Sequence, residues 1–267
     1  MRGSSAAARN LLLLLLGLYA AAPHPALTQG GGGSSDSDDT DDDDEDMLAL
    51  VKPAKRASHF AIKSKERLGA RGAIAQDLTL EVFARAQELA LDNPMAWRSS
   101  IALGGVETAY KFGATTWFVT FESGEAYSQL FNHANGTEYK LLSTVQRQIG
   151  LGGGATVVPR LQIGYEWASD PNQERWKVQV KAPVFYPIAE TVLLIPVEPK
   201  LTWFPYTNRP DHRADLTMYI STGVRWMITP TSFLQAQFGF ENRWSNVRSA
   251  EFSRWLLAPE VNLRVAF

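Results

Sequence analysis

The chain has 267 residues, no cysteine and nearly balanced charge, with 26 Lys and Arg against 28 Asp and Glu. The missing cysteines exclude a disulfide-stapled secreted domain and a lipoprotein anchored through a cysteine. The length leaves room for one domain of ordinary size and an appendage.

The order along the chain is uneven. Arg2 and Arg9 precede an apolar run from Leu11 to Ala22, followed by small residues and prolines to Thr28. Residues 1–28 therefore read as a secretory signal peptide, because the run is shorter than the roughly 20 residues a membrane helix needs. Residues 29–46 are Gly, Ser and Asp-rich; nine carboxylates fall between Asp36 and Asp46, and no apolar side chain is available for a core. That segment is expected to be a disordered acidic linker rather than a calcium loop, which needs a turn glycine and a closing glutamate. Without those nine acids and the two signal arginines, the rest of the chain holds 24 basic against 19 acidic residues and is mildly basic.

Residues 47–95 begin with a basic stretch that includes Lys52, Lys55, Arg56, Lys63, Lys65, Arg67 and Arg71. From Asp77 to Leu91 the residues Leu78, Val82, Ala86 and Leu89 fall on one side at helical spacing, and Asp92-Asn93-Pro94 follows as a stop. The expectation is a short amphipathic helix, sitting outside a barrel or plugging it.

Residues 96–267 change character. Alternating stretches recur at about 97–110, 115–123, 137–149, 155–167, 174–186, 191–205, 215–228, 231–244 and 252–267. One face of each is apolar, with Trp167, Trp176, Tyr186, Trp203, Trp226 and Trp244 near the ends. The lengths suit tilted strands crossing a bilayer, and aromatic residues at strand ends suit its interfaces. Turn chemistry lies between them at Asn135-Gly136, Ser169-Asp170-Pro171-Asn172, Asn208-Arg209-Pro210-Asp211 and Thr229-Pro230. Against this stand Pro159, Pro183, Pro196, Pro199, Pro205 and Pro259 inside the strands, since each removes a ladder donor.

The last stretch, PEVNLRVAF, places Val261, Leu263, Val265 and Phe267 on one face. With the alternating stretches and the leader, it resembles bacterial outer-membrane β-barrel proteins over roughly residues 97–267. The resemblance implies an all-β fold, a closed antiparallel transmembrane β-barrel of 8–10 strands, with an even count. It also implies location in the bacterial outer membrane, contact with its lipid, and Val261, Leu263, Val265 and Phe267 as the signal read by the barrel assembly machinery. In hydrocarbon only closure satisfies every strand's backbone groups.

The opposite faces supply the candidate interior: Arg160, Gln162, Glu166, Lys177, Gln179, Lys181, Glu198, Lys200, Tyr219, Arg225, Gln235, Gln237, Glu241, Glu260, Asn262 and Arg264. Such a set either holds a barrel together as a salt-bridge network or lines a narrow passage for small hydrophilic solutes. No catalytic residue is assigned. A lipid-modifying hydrolase of the outer membrane would need a histidine and serine together, and neither Phe131–Gly136 nor Glu241–Ser249 carries both. A soluble secreted β-sandwich or lipocalin-like binder is the other alternative. Metal spacing, phosphate loop and nucleotide fingerprint are lacking, so neither a cofactor nor a nucleic-acid partner is expected.

Overall fold

The computed structural model describes residues 60–92, 95–128 and 133–266. The signal peptide, the acidic linker and Phe267 lie outside the described residues. The strands are β1 Phe60–Ala75, β2 Leu78–Asp92, β3 Met95–Phe112, β4 Thr115–Ser128, β5 His133–Arg147, β6 Ile149–Gly152 and β7 Ala155–Val157. They continue as β8 Arg160–Ala168, β9 Arg175–Lys181, β10 Val184–Ala189, β11 Val192–Pro205, β12 Ala214–Met227, β13 Phe233–Ser245 and β14 Phe252–Ala266.

Eleven of these form a closed wall in the order β1, β2, β3, β4, β5, β8, β9, β11, β12, β13 and β14. Neighbours are antiparallel except at the seam, where β14 pairs with β1 in parallel, from Phe60 opposite Trp255 to Arg71 opposite Ala266. β6, β7 and β10 prolong the wall at one end, β7 pairing with β6 and β10, and β10 with β11.

This corrects three expectations. The barrel is all-β and closed, but it has eleven strands rather than 8–10, and the parallel seam is what admits an odd count. The wall begins at Phe60 rather than near residue 96. The expected amphipathic helix is β2, paired with β1 from Ala61–Leu91 to Ala75–Leu78 and with β3 from Leu78–Tyr110 to Asp92–Met95. Its residues satisfy both periods: Leu80, Val82, Ala84 and Ala86 alternate with Glu81, Phe83, Arg85 and Gln87. Two flanking strands take every backbone group of the ladder, and tertiary pairing overrides a helical pattern of modest strength.

The two ends of the barrel differ. At one end the strands join through two-residue links, among them Gly113-Ala114 between β3 and β4 and Gly153-Gly154 between β6 and β7, with a longer link only at residues 228–232. Gly113 has φ 61° and Gly153 φ 59°, the left-handed backbone that tight hairpins need. At the other end, the described connections run over residues 169–174, 206–213 and 246–251. Asp170 caps the short 3-10 turn Pro171–Gln173 by accepting from the amide of Asn172 at 2.9 Å, as the turn chemistry there anticipates. Asn135-Gly136, by contrast, is not a hairpin: it lies within β5, where the register with β4 shifts beside Ala126 and Tyr127.

Pro159, Pro183 and Pro196 sit where the ladder is already interrupted, whereas Pro199, Pro205 and Pro259 lie in regular register opposite Ile220, Ala214 and Ala236. Pro159 and Pro183 occupy the breaks between β7 and β8 and between β9 and β10. Their carbonyls still accept, from Arg147 N at 3.1 Å and Val158 N at 3.0 Å. Pro196 falls in the register shift of β11 between Ile195 and Glu198. Bulges and breaks of this kind remove the need for the missing N–H.

Side chains alternate across the wall. Thirty-two large apolar residues are exposed at 37–57%, and nearly all lie on the outward face. Tyr110, Trp117 and Trp226 stand toward the short-link end of that face, and Trp167, Trp176, Trp203, Trp244 and Trp255 toward the other, with Phe121, Leu161, Ile220 and Val224 between them. The outer face thus carries an apolar belt between two aromatic rows. A charged interruption stands beside the seam, where outward-facing Ser64 donates to Glu88 at 3.0 Å and Glu66 lies two residues along the same strand.

Candidate functional site

The inward face is where the charges gather. All sixteen sequence-derived interior residues are buried or half-buried. Gln162 donates to Thr144 at 3.0 Å and Gln179 to Thr202 at 2.9 Å. Lys181 meets Glu198 at 2.5 Å, and Gln237 donates to the same carboxylate at 3.0 Å. Lys200 stands 5.1 Å from the Tyr219 ring, and Glu260 is within electrostatic reach of Arg160 and Arg225. Asn262 is opposite Arg67 in the seam register. Val261, Leu263 and Val265 face outward at that seam, Leu263 opposite Leu68.

Toward the long-loop end the interior is sealed. Arg175 donates from Nε to Glu166 at 2.9 Å and from Nη1 to the Tyr206 hydroxyl at 2.6 Å, with its guanidinium 4.2 Å from the Phe204 ring centre. Lys177 adds a looser contact to Glu166 at 3.8 Å. Arg213 pairs with Asp215 at 2.9 Å, and Arg243 approaches that carboxylate at 3.8 Å while bonding Thr217. Arg254 reaches Glu241 at 2.6 Å, and Arg243 and Arg254 both stack on Phe252. Guanidiniums over aromatic faces combine ion pairing with dense filling.

Toward the short-link end the interior is organised around Glu81. This carboxylate is fully buried and takes Arg67 at 2.8 Å, Arg71 at 3.0 Å and Arg264 at 3.0 Å. Glu107 shares Arg71 at 2.9 Å and accepts from Thr120 at 3.1 Å. Arg85 bridges to Glu122 at 2.8 Å. Two more arginines in this half bond to neutral amides instead: Arg160 donates to Gln146 and Arg225 to Gln235, each at 2.7 Å.

Sequence reasoning missed the charges on β1 to β5, namely Lys63, Lys65, Arg67, Arg71, Glu81, Arg85, Glu107, Glu122, Glu138 and Lys140, and near the long loops Arg175, Arg213, Asp215, Arg243 and Arg254. The signal was available: Lys63, Lys65, Arg67 and Arg71 are spaced in steps of two, with Gly69 completing the series. Gly69 is also needed there, because a Cβ at that position would come within 2.6 Å of Glu81 Oε1. Among the described residues no group of three His, Cys, Asp or Glu could hold a metal ion.

No protein-family model and no curated protein matches this chain. A solved structure, outer-membrane expressed OmpT of Vibrio cholerae, is similar at 10% identity and a TM-score of 0.36, covering 62% of this chain and 54% of that one. A likeness at that level assigns neither activity nor ligand.

Proposed function

We propose that the protein is an integral β-barrel of the bacterial outer membrane, held in shape by an ion-paired interior. The apolar belt between two aromatic rows carries this reading. A closed wall leaves no unpaired edge, so it can stand in hydrocarbon, and side chains such as Ile220 and Val224, 46% and 43% exposed, are more stable in lipid than in water. A soluble sandwich or lipocalin-like protein would place its apolar face inside and its charges outside, the reverse of the pattern here. The interior supports a structural role over an open channel, because the ionic and aromatic layer near the long loops fills the lumen there. A narrow passage for small hydrophilic solutes requires that layer to move. Insertion would run through the barrel assembly machinery, with Val261, Leu263 and Val265 facing outward as its signal. No enzymatic role is proposed.

Refolding the mature protein in detergent and comparing gel migration with and without boiling tests the reading. A fast-migrating form that shifts on boiling is expected, together with quenching of tryptophan fluorescence by brominated lipid in vesicles. A protein that stays monomeric without detergent and shows neither effect overturns it.

A further inference from the structure

The ladder of the closed wall is interrupted at one point of its parallel seam. β1 and β14 pair over Phe60–Ile62 against Trp255–Leu257, and again from Lys65 opposite Glu260 to Arg71 opposite Ala266. The same offset holds on both sides of the break, so it is a local loss of pairing and not a bulge. Pro259 is its cause. Arg264 donates from its amide to the Ser232 hydroxyl at 2.9 Å and accepts from it at its carbonyl at 3.2 Å, which turns its backbone toward β13. Backbone direction alternates along a strand, and β14 keeps an unbroken register with β13, so Pro259, five residues earlier, faces β1, where a proline has no N–H to give.

The two stretches of seam beside this break are held differently. Toward the short links, Glu81 takes Arg67 and Arg71 from β1 and Arg264 from β14, so an ionic clamp crosses the seam. Toward the long loops, Ser64 on β1 donates to Glu88 on β2, and Trp255 on β14 stacks on Phe238 of β13 with ring centres 5.2 Å apart. Those contacts tie each strand to its other neighbour.

Polarity is also reversed at this level. Elsewhere the lumen side is charged, and parting two strands would set charges against hydrocarbon, which is costly. Here the lumen side carries Ala61, Leu89, Tyr219 and Leu256 packed together, with Leu91 and Ala258 against them, while Ser64 and Glu88 stand outside. Lipid entering between the strands would meet apolar side chains.

We infer that the long-loop half of the seam is a lateral gate: Phe60–Ser64, still paired to β2, part from Trp255–Pro259 and open the wall sideways to the membrane. The break at Pro259 is the hinge and the Glu81 clamp the fixed end. This rests on the barrel reading above, since a lateral opening needs a closed wall in lipid.

The test uses full-length mature protein refolded in lipid vesicles and first shown to be heat-modifiable, so a failure of the barrel reading registers before any gate is sought. The chain has no cysteine, so two introduced thiols carry the only labels. Nitroxides at Ile62→Cys with Leu257→Cys, outward register partners across the upper seam, are expected to show a population separated beyond dipolar broadening. It should be at least fivefold larger than at Leu68→Cys with Leu263→Cys in the lower seam. Ile62→Cys with Ala86→Cys on β2 should keep a single distance, and Pro259→Ala, which restores the N–H, should shrink the separated population at least threefold. Equal populations in the two stretches of seam overturn the inference. So does movement of Ile62 away from β2 as well, which is fraying of the end of β1, or a separated population that Pro259→Ala leaves unchanged. If the labelled upper pair does not fold, hydrogen exchange of the unlabelled barrel decides: the Leu257 amide should exchange at least tenfold faster than that of Val261, and equal protection overturns the gate.

Discussion

The two halves of the lumen use the same residue types and reach different states. Near the long loops, Arg175, Arg213, Arg243 and Arg254 have both carboxylates and the rings of Phe204, Tyr206 and Phe252 to lie against, and water is excluded. Near the short links, Arg67, Arg71 and Arg264 share Glu81 and keep 18–24% of their side-chain surface exposed, while Arg160 and Arg225 rest on amides. Aromatic rings stand in both halves, Phe83 against Arg67 and Phe185 and Phe233 against Arg225, so the difference lies in how many bases share one acid. The lesson bears on any reading of barrel interiors, because counting charges would rank the halves as alike.

The largest effect is expected where one acid serves several bases. Glu81→Gln leaves three arginines around a buried neutral amide beside the parallel seam, and breaking a buried pair typically costs about 3–5 kcal/mol. The midpoint of urea unfolding of the refolded barrel should fall accordingly, with β1 the first strand to become accessible to protease. An unchanged midpoint would mean that the seam holds without its ionic clamp.

In the sealed half, Arg175→Ala removes the charged hydrogen bonds to Glu166 and Tyr206 and the plate over Phe204. Because Lys177 remains beside Glu166, the expected loss is smaller, about 2–3 kcal/mol. The same change should thin this ionic and aromatic layer, so single-channel current in planar bilayers should rise from near zero in the wild type to measurable events. Current already present in the wild type would remove the distinction between the two halves.

The contrast extends to the outer surface, where Glu66 and Glu88 stand in a mostly apolar belt. Charged side chains on a lipid face are destabilising, acids less so than bases, so Glu66→Leu should stabilise the barrel in lipid by about 1 kcal/mol. A loss instead of a gain would show that this polar spot is held by a contact of its own.

How much of this was legible follows from the period of the pattern. Six of the eleven wall strands, β8, β9, β11, β12, β13 and β14, alternate cleanly enough that their inward residues, such as Arg160, Glu198 and Arg225, could be named from spacing alone. β1 and β2 escaped because small residues blur their faces: Ala84, Ala86 and Ala90 fit a helix stripe as well as a strand face, while Gly69, Ala70 and Gly72 carry little side-chain signal. The ion-pair network around Glu81 was out of reach for a different reason. Which cations share a carboxylate depends on register across the parallel seam, as where Arg264 meets Glu81 from 183 residues away, and no local spacing encodes that contact.

The smallest predicted effect lies at the rim of the sealed half. Arg209 donates to both oxygens of Asp211, at 3.1 and 3.0 Å, and the amide of Arg213 donates to it at 3.2 Å. The hydrogen bonds from Arg209 hold the Asp211 carboxyl below the usual aspartate range. A depressed acid contributes stability that is present above its unfolded pKa and lost as pH falls through the lower folded value, a window beginning near pH 4. Because Asp211 is largely open to solvent, screening keeps the contribution small. It sits two residues before Arg213, which pairs with Asp215 inside, so loosening the loop should raise hydrogen exchange at the Arg213 amide before the barrel unfolds. Asp211→Asn should show that faster exchange already at neutral pH and lose the acid step, with little change in the urea midpoint. If the acid step persists in Asp211→Asn, another group carries it, and the pairing of Asp211 with Arg209 is not what acid breaks at this rim.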